Sequence, residues 1–74
     1  MKHYLIEYRT LDGEHEYTEY AVTASRTYNN AEKRAKKGKA SFNRYGWEEF
    51  CSLDGIQEIP VADYEVLKKY LTKI

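Results

Sequence analysis

The chain has one cysteine, one proline and no net charge in 74 residues, and each scarcity removes a class of protein. A lone Cys51 closes no internal disulfide, so a disulfide-stapled secreted scaffold is excluded and a cytoplasmic setting is expected. Beside Glu48 and Glu49 the thiol lacks the positive surroundings that make a cysteine reactive, and it reads as a small buried hydrophobe. No apolar run approaches the roughly 20 residues that cross a bilayer, so no membrane partner is expected. There is no Ser-His-Asp order, no Gly-rich phosphate loop and no cysteine pair. His3 and His15 fall near opposite ends of an expected hairpin, about 20 Å apart, too far to share a metal or a proton. Glu14-His15-Glu16 alternates along a strand and does not converge. No catalytic residue, metal or cofactor is therefore expected, and the chain is read as a non-enzyme.

What the chain does have is segregated charge. Residues 26–46 carry seven Lys or Arg against one Glu, whereas residues 1–25 carry two basic and five acidic groups and residues 47–74 three and six. The three segments sum to plus six, minus three and minus three. A surface divided in this way usually meets a charged partner. Eight of the aromatic residues are Tyr, whose rings bury area while their hydroxyls need a partner or water, a combination suited to rims and interfaces. A single domain spanning 1–74 must bury nearly all its apolar side chains, because a core of this size nets only about 3–5 kcal/mol.

Alternation over residues 3–10 predicts a strand with Tyr4, Ile6 and Tyr8 on one face and His3, Leu5, Glu7 and Arg9 on the other. A three-residue loop at Leu11-Asp12-Gly13 pairs Thr10 with Glu14, Tyr8 with Glu16, Ile6 with Thr18 and Tyr4 with Tyr20. A two-residue Asp-Gly turn is the rival and slips that register by one. Near Ser25 the period lengthens to 3.6, and Thr27 caps a helix running to about Arg44, ended by Gly46. Tyr28, Ala31, Ala35, Gly38, Phe42 and Tyr45 form its inward stripe, with small residues allowing close approach to the sheet. Residues 47–59, with a second Leu-Asp-Gly at Leu53-Asp54-Gly55, read preferentially as a hairpin of 49–53 with 56–59, or else as one strand at 56–59. Pro60 precedes a second helix from Val61 to Thr72 or beyond, with Tyr64, Leu67, Leu71 and Ile74 inward, Lys68, Lys69 and Lys73 late, and a Glu65–Lys69 pair. The expected fold is α+β: a two-layer sandwich of a small antiparallel sheet of three or four strands, with two helices on one face.

Two surfaces emerge. The open sheet face and hairpin, with Glu7, Glu16, Tyr17 and Glu19, joined by Val66 and Tyr70 of the last helix, are suited to another protein, the acids steering encounter and Tyr17 anchoring it. The helix face with Lys33, Lys36, Lys37 and Arg44 is suited to the phosphates of nucleic acid. The protein partner is the primary expectation, for a monomer or weak homodimer. Lys33-Arg34-Ala35-Lys36-Lys37 is similar over five residues to the basic helix start of double-stranded-RNA-binding domains. That family opens with a helix absent here, so the chain is not read as a member. In size, expected fold, charge segregation and want of catalytic residues it resembles small phage and mobile-element accessory proteins, anti-CRISPR inhibitors among them, without sharing a motif with them.

Overall fold

The computed structural model describes residues 1–42 and 51–74. Six elements follow in chain order: β1 (Lys2–Asp12), β2 (His15–Ser25), α1 (Tyr28–Phe42), β3 (Cys51–Ile59), α2 (Val61–Leu67) and β4 (Thr72–Lys73). They form an α+β domain around one four-stranded sheet of order β3-β1-β2-β4. The sheet is mixed, because β4 lies parallel to β2 while β1 is antiparallel to both neighbours.

Gly13, at φ 66°, occupies the first position of a two-residue turn, Gly13-Glu14, closed by Asp12 opposite His15. Glycine in that place, with no positive φ at Glu14, is the pattern of a type II′ turn, whose twist suits a hairpin. Both anticipated registers are thereby corrected. Tyr4 pairs with Thr23, Ile6 with Ala21, Tyr8 with Glu19 and Thr10 with Tyr17. The inward face of β2 presents Ala21, Thr23 and Ser25, all small and buried, which leaves room for the rings of Tyr4 and Tyr8. Val22 points the other way, opposite Leu5, yet is also fully buried. A strand covered on both faces loses the alternation from which register is read.

Thr27 caps α1 as expected, its Oγ1 accepting from the Asn30 N–H at 3.2 Å. Ala31 and Ala35 are wholly buried in the core with Tyr4, Ile6, Tyr8, Ala21 and Cys51, and Leu53, Ile56 and Ile74 pack against that cluster. The Tyr8 hydroxyl donates to the Ala35 carbonyl, and Tyr28 meets Tyr4 edge-on at 6.1 Å between centroids. The expectations for Arg44, Tyr45, Gly46 and the start of the 49–53 strand lie outside the described residues.

Three further expectations are corrected. The second Leu-Asp-Gly is not a hairpin turn: Cys51–Ile59 is one strand along β1, and its register jumps where Gly55 faces Glu7 and Leu53 faces Tyr8. Asp54 is the extra residue of a β-bulge, which absorbs the local turn preference without reversing the chain. The second helix stops at Leu67, with the Lys69 and Tyr70 N–H groups bonding three residues back to Val66 and Leu67. The chain then adds β4 to the edge of β2, where the Ile74 N–H bonds to Val22 O at 3.0 Å and Thr23 Oγ1 donates to Ile74 O at 2.9 Å. An unpaired sheet edge outcompetes another helical turn. Consequently Glu65 pairs with Lys68 at 2.6 Å rather than with Lys69.

The third correction concerns layers. Tyr64 of α2 stacks on His3, with ring centroids 4.6 Å apart, and the α2 residues Asp63, Val66 and Leu67 line a groove with Leu5, Gln57 and Ile59. Those strand residues belong to the face turned away from α1, so the two helices flank the sheet on opposite sides. Topology requires this. The β2-α1-β3 connection passes over β1 in one direction, and the β3-α2-β4 connection returns across β1 and β2 in the other. Crossovers between parallel strands share one hand, so a reversal of direction moves the helix to the opposite face.

Candidate binding surfaces

Changing the hairpin register by an odd number of residues divides the acidic set predicted from sequence. Glu7 and Glu16 lie on the face shared with α2, whereas Tyr17 and Glu19 lie on the α1 face beside Thr10 and Tyr8. The four residues therefore do not form one surface. On the α2 face, Glu7 accepts a 3.3 Å hydrogen bond from the Tyr20 hydroxyl, and Arg9 bridges Glu16 at 3.3 Å and Asp54 at 3.6 Å. These contacts are solvent-exposed and hold side chains in place more than they stabilise the fold.

Two concavities join on this face. One, of about 320 Å3, is lined by Leu5, Glu7, Tyr20, Gly55, Ile56 and Gln57; the missing side chain of Gly55 opens it. The other, also about 320 Å3, lies under α2 between Leu5, Gln57, Ile59, Asp63, Val66 and Leu67. Leu5 and Gln57 belong to both, so a single trough runs from the open sheet to the helix. Its floor is apolar at one end, and Glu7 and Asp63 supply negative charge along it. Val66, which lines the trough, is 55% exposed, and Tyr70, in the turn after α2, is 80% exposed. Sequence reasoning did not select Tyr20, Gly55, Ile59 or Asp63, since only the observed register and the crossing of α2 bring them together.

The other side of the molecule is basic. Lys33, Lys36 and Lys37 are exposed on α1. Glu32 meets Lys36 at 3.5 Å, while Lys33 and Lys37 have no acidic partner among the described residues. Arg34 folds back onto the sheet, donating from Nη1 to Thr23 Oγ1 at 3.3 Å and to the Ala24 carbonyl.

Chemistry of the nucleophilic kind finds little footing in the described residues. Cys51 is buried, its Sγ 3.6 Å from the Lys39 carbonyl, and burial pushes its thiol above the ordinary value. Nearby Lys39 acts against that shift and Glu19 adds to it. His3 sits at the start of β1 and His15 at the far end of the hairpin. Among the described residues no group of three His, Cys, Asp or Glu is placed to hold a metal, and no helix is long and apolar enough to cross a membrane. Neither a protein-family model, nor a curated protein, nor a solved structure matches the chain.

Proposed function

We propose that this chain is a non-enzymatic binding module that receives a basic, partly apolar segment of another protein on the sheet face beside α2. The observation that supports it best is the continuous trough, with Leu5, Ile59, Val66 and Leu67 at its apolar end and Glu7, Gln57 and Tyr20 toward the open sheet. An apolar anchor buried at the α2 end would supply affinity. Glu7 and Asp63 would select a cationic neighbour and speed encounter, since complementary charge acts on specificity and association rate more than on raw affinity. The hydrophobic contribution scales with what enters the groove, about 25 cal/mol per Å2 of apolar area removed from water. The primary sequence expectation is kept in its partner class and altered in its residues: Glu7, Glu16 and Val66 belong to this face, Tyr70 lies in the turn after α2, and Tyr17 and Glu19 lie on the other face.

Affinity capture from cell extract with the wild-type chain, repeated with Glu7→Lys/Asp63→Lys and with Val66→Ser, tests the assignment. Partners retained by the wild type are expected to be lost from both variants, and to be retained by Lys33→Glu/Lys36→Glu. Undiminished capture by both trough variants would refute it.

A further inference from the structure

Three glycines fall among the described residues, and two have a reason in the fold: Gly13 turns the first hairpin at φ 66°, and Gly38 lets α1 approach Tyr8 and Ile74. Gly55 has neither reason. Its φ lies outside the left-handed region, so the bulge at Asp54 does not require it, and a Cβ built there would meet only Glu7 Oε2, at 3.8 Å. A glycine inside a strand weakens it, and one without a conformational task marks a place where something else comes close to the backbone. Tyr20, Glu7 and Gly55 stand in one row across β2, β1 and β3. The Tyr20 hydroxyl donates to Glu7 Oε1 at 3.3 Å, and Oε2 is the oxygen that faces Gly55. No cation pairs with Glu7 among the described residues, since Arg9, two residues along the same face, is engaged by Glu16 and Asp54. The row therefore holds an oriented carboxylate beside a hollow of about 320 Å3 that Leu5, Ile56 and Gln57 complete.

We infer that this hollow takes one long basic side chain, its aliphatic stem laid over Gly55 and its charged head on Glu7 Oε2, from a segment that binds extended and carries an apolar residue four positions away. The inference rests on the protein-binding reading and names the side chains that the trough selects. Lysine and arginine combine an apolar stem that covers backbone with a head that needs an acceptor, and the row supplies a place for both. The spacing follows from the strand. Gly55 and Ile59 lie four residues apart on β3, about 13 Å, and Ile59 belongs to the apolar end under α2. An extended chain covers that distance in four residues and keeps both side chains on one face, whereas four residues of helix span only about 6 Å. Gly55 is on this account the specificity-determining residue, because any side chain there occupies the place of the stem.

Amide chemical-shift mapping of the intact, isotope-labelled chain, titrated with short Ser/Thr peptides that carry one basic residue and one leucine, tests this. Peptides with the two residues four positions apart, made in both orders, should move the amides of Gly55 and Glu7 together with those of Val66 and Leu67. The tighter order should bind about fivefold better than the same peptide with serine for the basic residue, the upper end of what an exposed ion pair supplies. Lysine and arginine versions tell which head is seated, and a gain from either supports the site. Gly55→Val, a residue that strands favour, placed where a Cβ makes only ordinary contact, should keep the fold by circular dichroism and erase the gain while Val66 and Leu67 still respond; Gly55→Ala serves if the valine unfolds the chain. Gly55 and Glu7 amides that stay still while Val66 and Leu67 move would overturn this inference and leave the protein-binding reading standing, whereas silence at both ends would refute both. An undiminished gain in the Gly55→Val protein would overturn it as well, as would an equal gain at a spacing of three, which would mark a helical occupant.

Discussion

Replacing Gly38 by Ala sets two effects of known size against each other. In an open helix interior the change should stabilise by about 1 kcal/mol, because glycine carries the larger entropy loss on folding. Here the added Cβ would stand 3.0 Å from the Tyr8 hydroxyl oxygen, 3.1 Å from Ile74 Cδ1 and 3.3 Å from Ile74 Cγ2. The Tyr8 oxygen yields little, and the Ile74 carbons, on a side chain whose main chain is pinned, yield only in part. Tyr8 is fully buried with its hydroxyl bound to Ala35 O, and Ile74 is held by its N–H on Val22 O and by Thr23 on its own main-chain oxygen. Overpacking of this kind costs about 1–3 kcal/mol, so the expected net effect is a loss of about 1 kcal/mol. Urea denaturation reads it: with a slope near 1 kcal/mol/M for so small a domain, the midpoint should fall by about 1 M at unchanged slope. In an Ile74→Ala background two of the three close contacts vanish, and the cost of Gly38→Ala should shrink by half or more, a coupling detectable in a double-mutant cycle. A Gly38→Ala protein more stable by the full helix-propensity increment would refute the close approach of α1 to β4.

The two buried tyrosines of β1 should respond oppositely to loss of their hydroxyls. Tyr8→Phe removes the donor to Ala35 O and should cost about 1 kcal/mol, whereas the Tyr4 hydroxyl is buried without a partner among the described residues, so Tyr4→Phe should be neutral or stabilising; equal losses in urea titrations would contradict this. Burial, and to a lesser degree Cys51, pushes Tyr8 up to about 12, above the ordinary value of 10.0 that it regains on unfolding. Its contribution is thus complete below pH 10, where both states are protonated, and declines as pH rises toward 12 because the unfolded chain ionises first. At 1.36 kcal/mol per unit the decline is at most about 3 kcal/mol, and Tyr8→Phe should show a correspondingly flatter stability profile over that window.

Much of α1 was legible before any coordinates, because its signals are local: the Thr27 cap, the Ala31-Ala35-Gly38 stripe and the lysines opposite. Strands β1 and β2 were equally plain as strands. Their register was not, since turn chemistry around Leu11-Asp12-Gly13-Glu14 permits several loops and the second half of β2 is buried on both faces. The tripeptide Leu-Asp-Gly illustrates the difficulty most directly. At residues 11–13 it leads into a hairpin turn, and at 53–55 it makes a bulge in a continuous strand. What separates the two is β1 itself, which offers residues 51–59 a partner along nearly its whole length. The end of α2 was hidden for the same reason: the periodicity of Tyr64, Leu67 and Leu71 continues, but the bare edge of β2 takes residues 72–73 and draws Ile74 into the core. In each case a nonlocal hydrogen-bonding partner overrode a local pattern.

The functional surfaces inherit that division. The lysine face was visible because one helix carries it, whereas the trough combines residues more than thirty positions apart, such as Glu7 and Gly55. Reversal of the crossover direction separates them. Because α1 covers one face of the sheet and α2 the other, the exposed Lys33, Lys36 and Lys37 lie on the opposite side of the sheet from Glu7 and Asp63. Had both helices packed on one face, the lysines of α1 would have stood beside Asp63 and Glu65 of α2, and the charges would have neutralised one another within the chain. The topology keeps these described charges on separate faces, so part of the charge segregation written in the sequence survives folding.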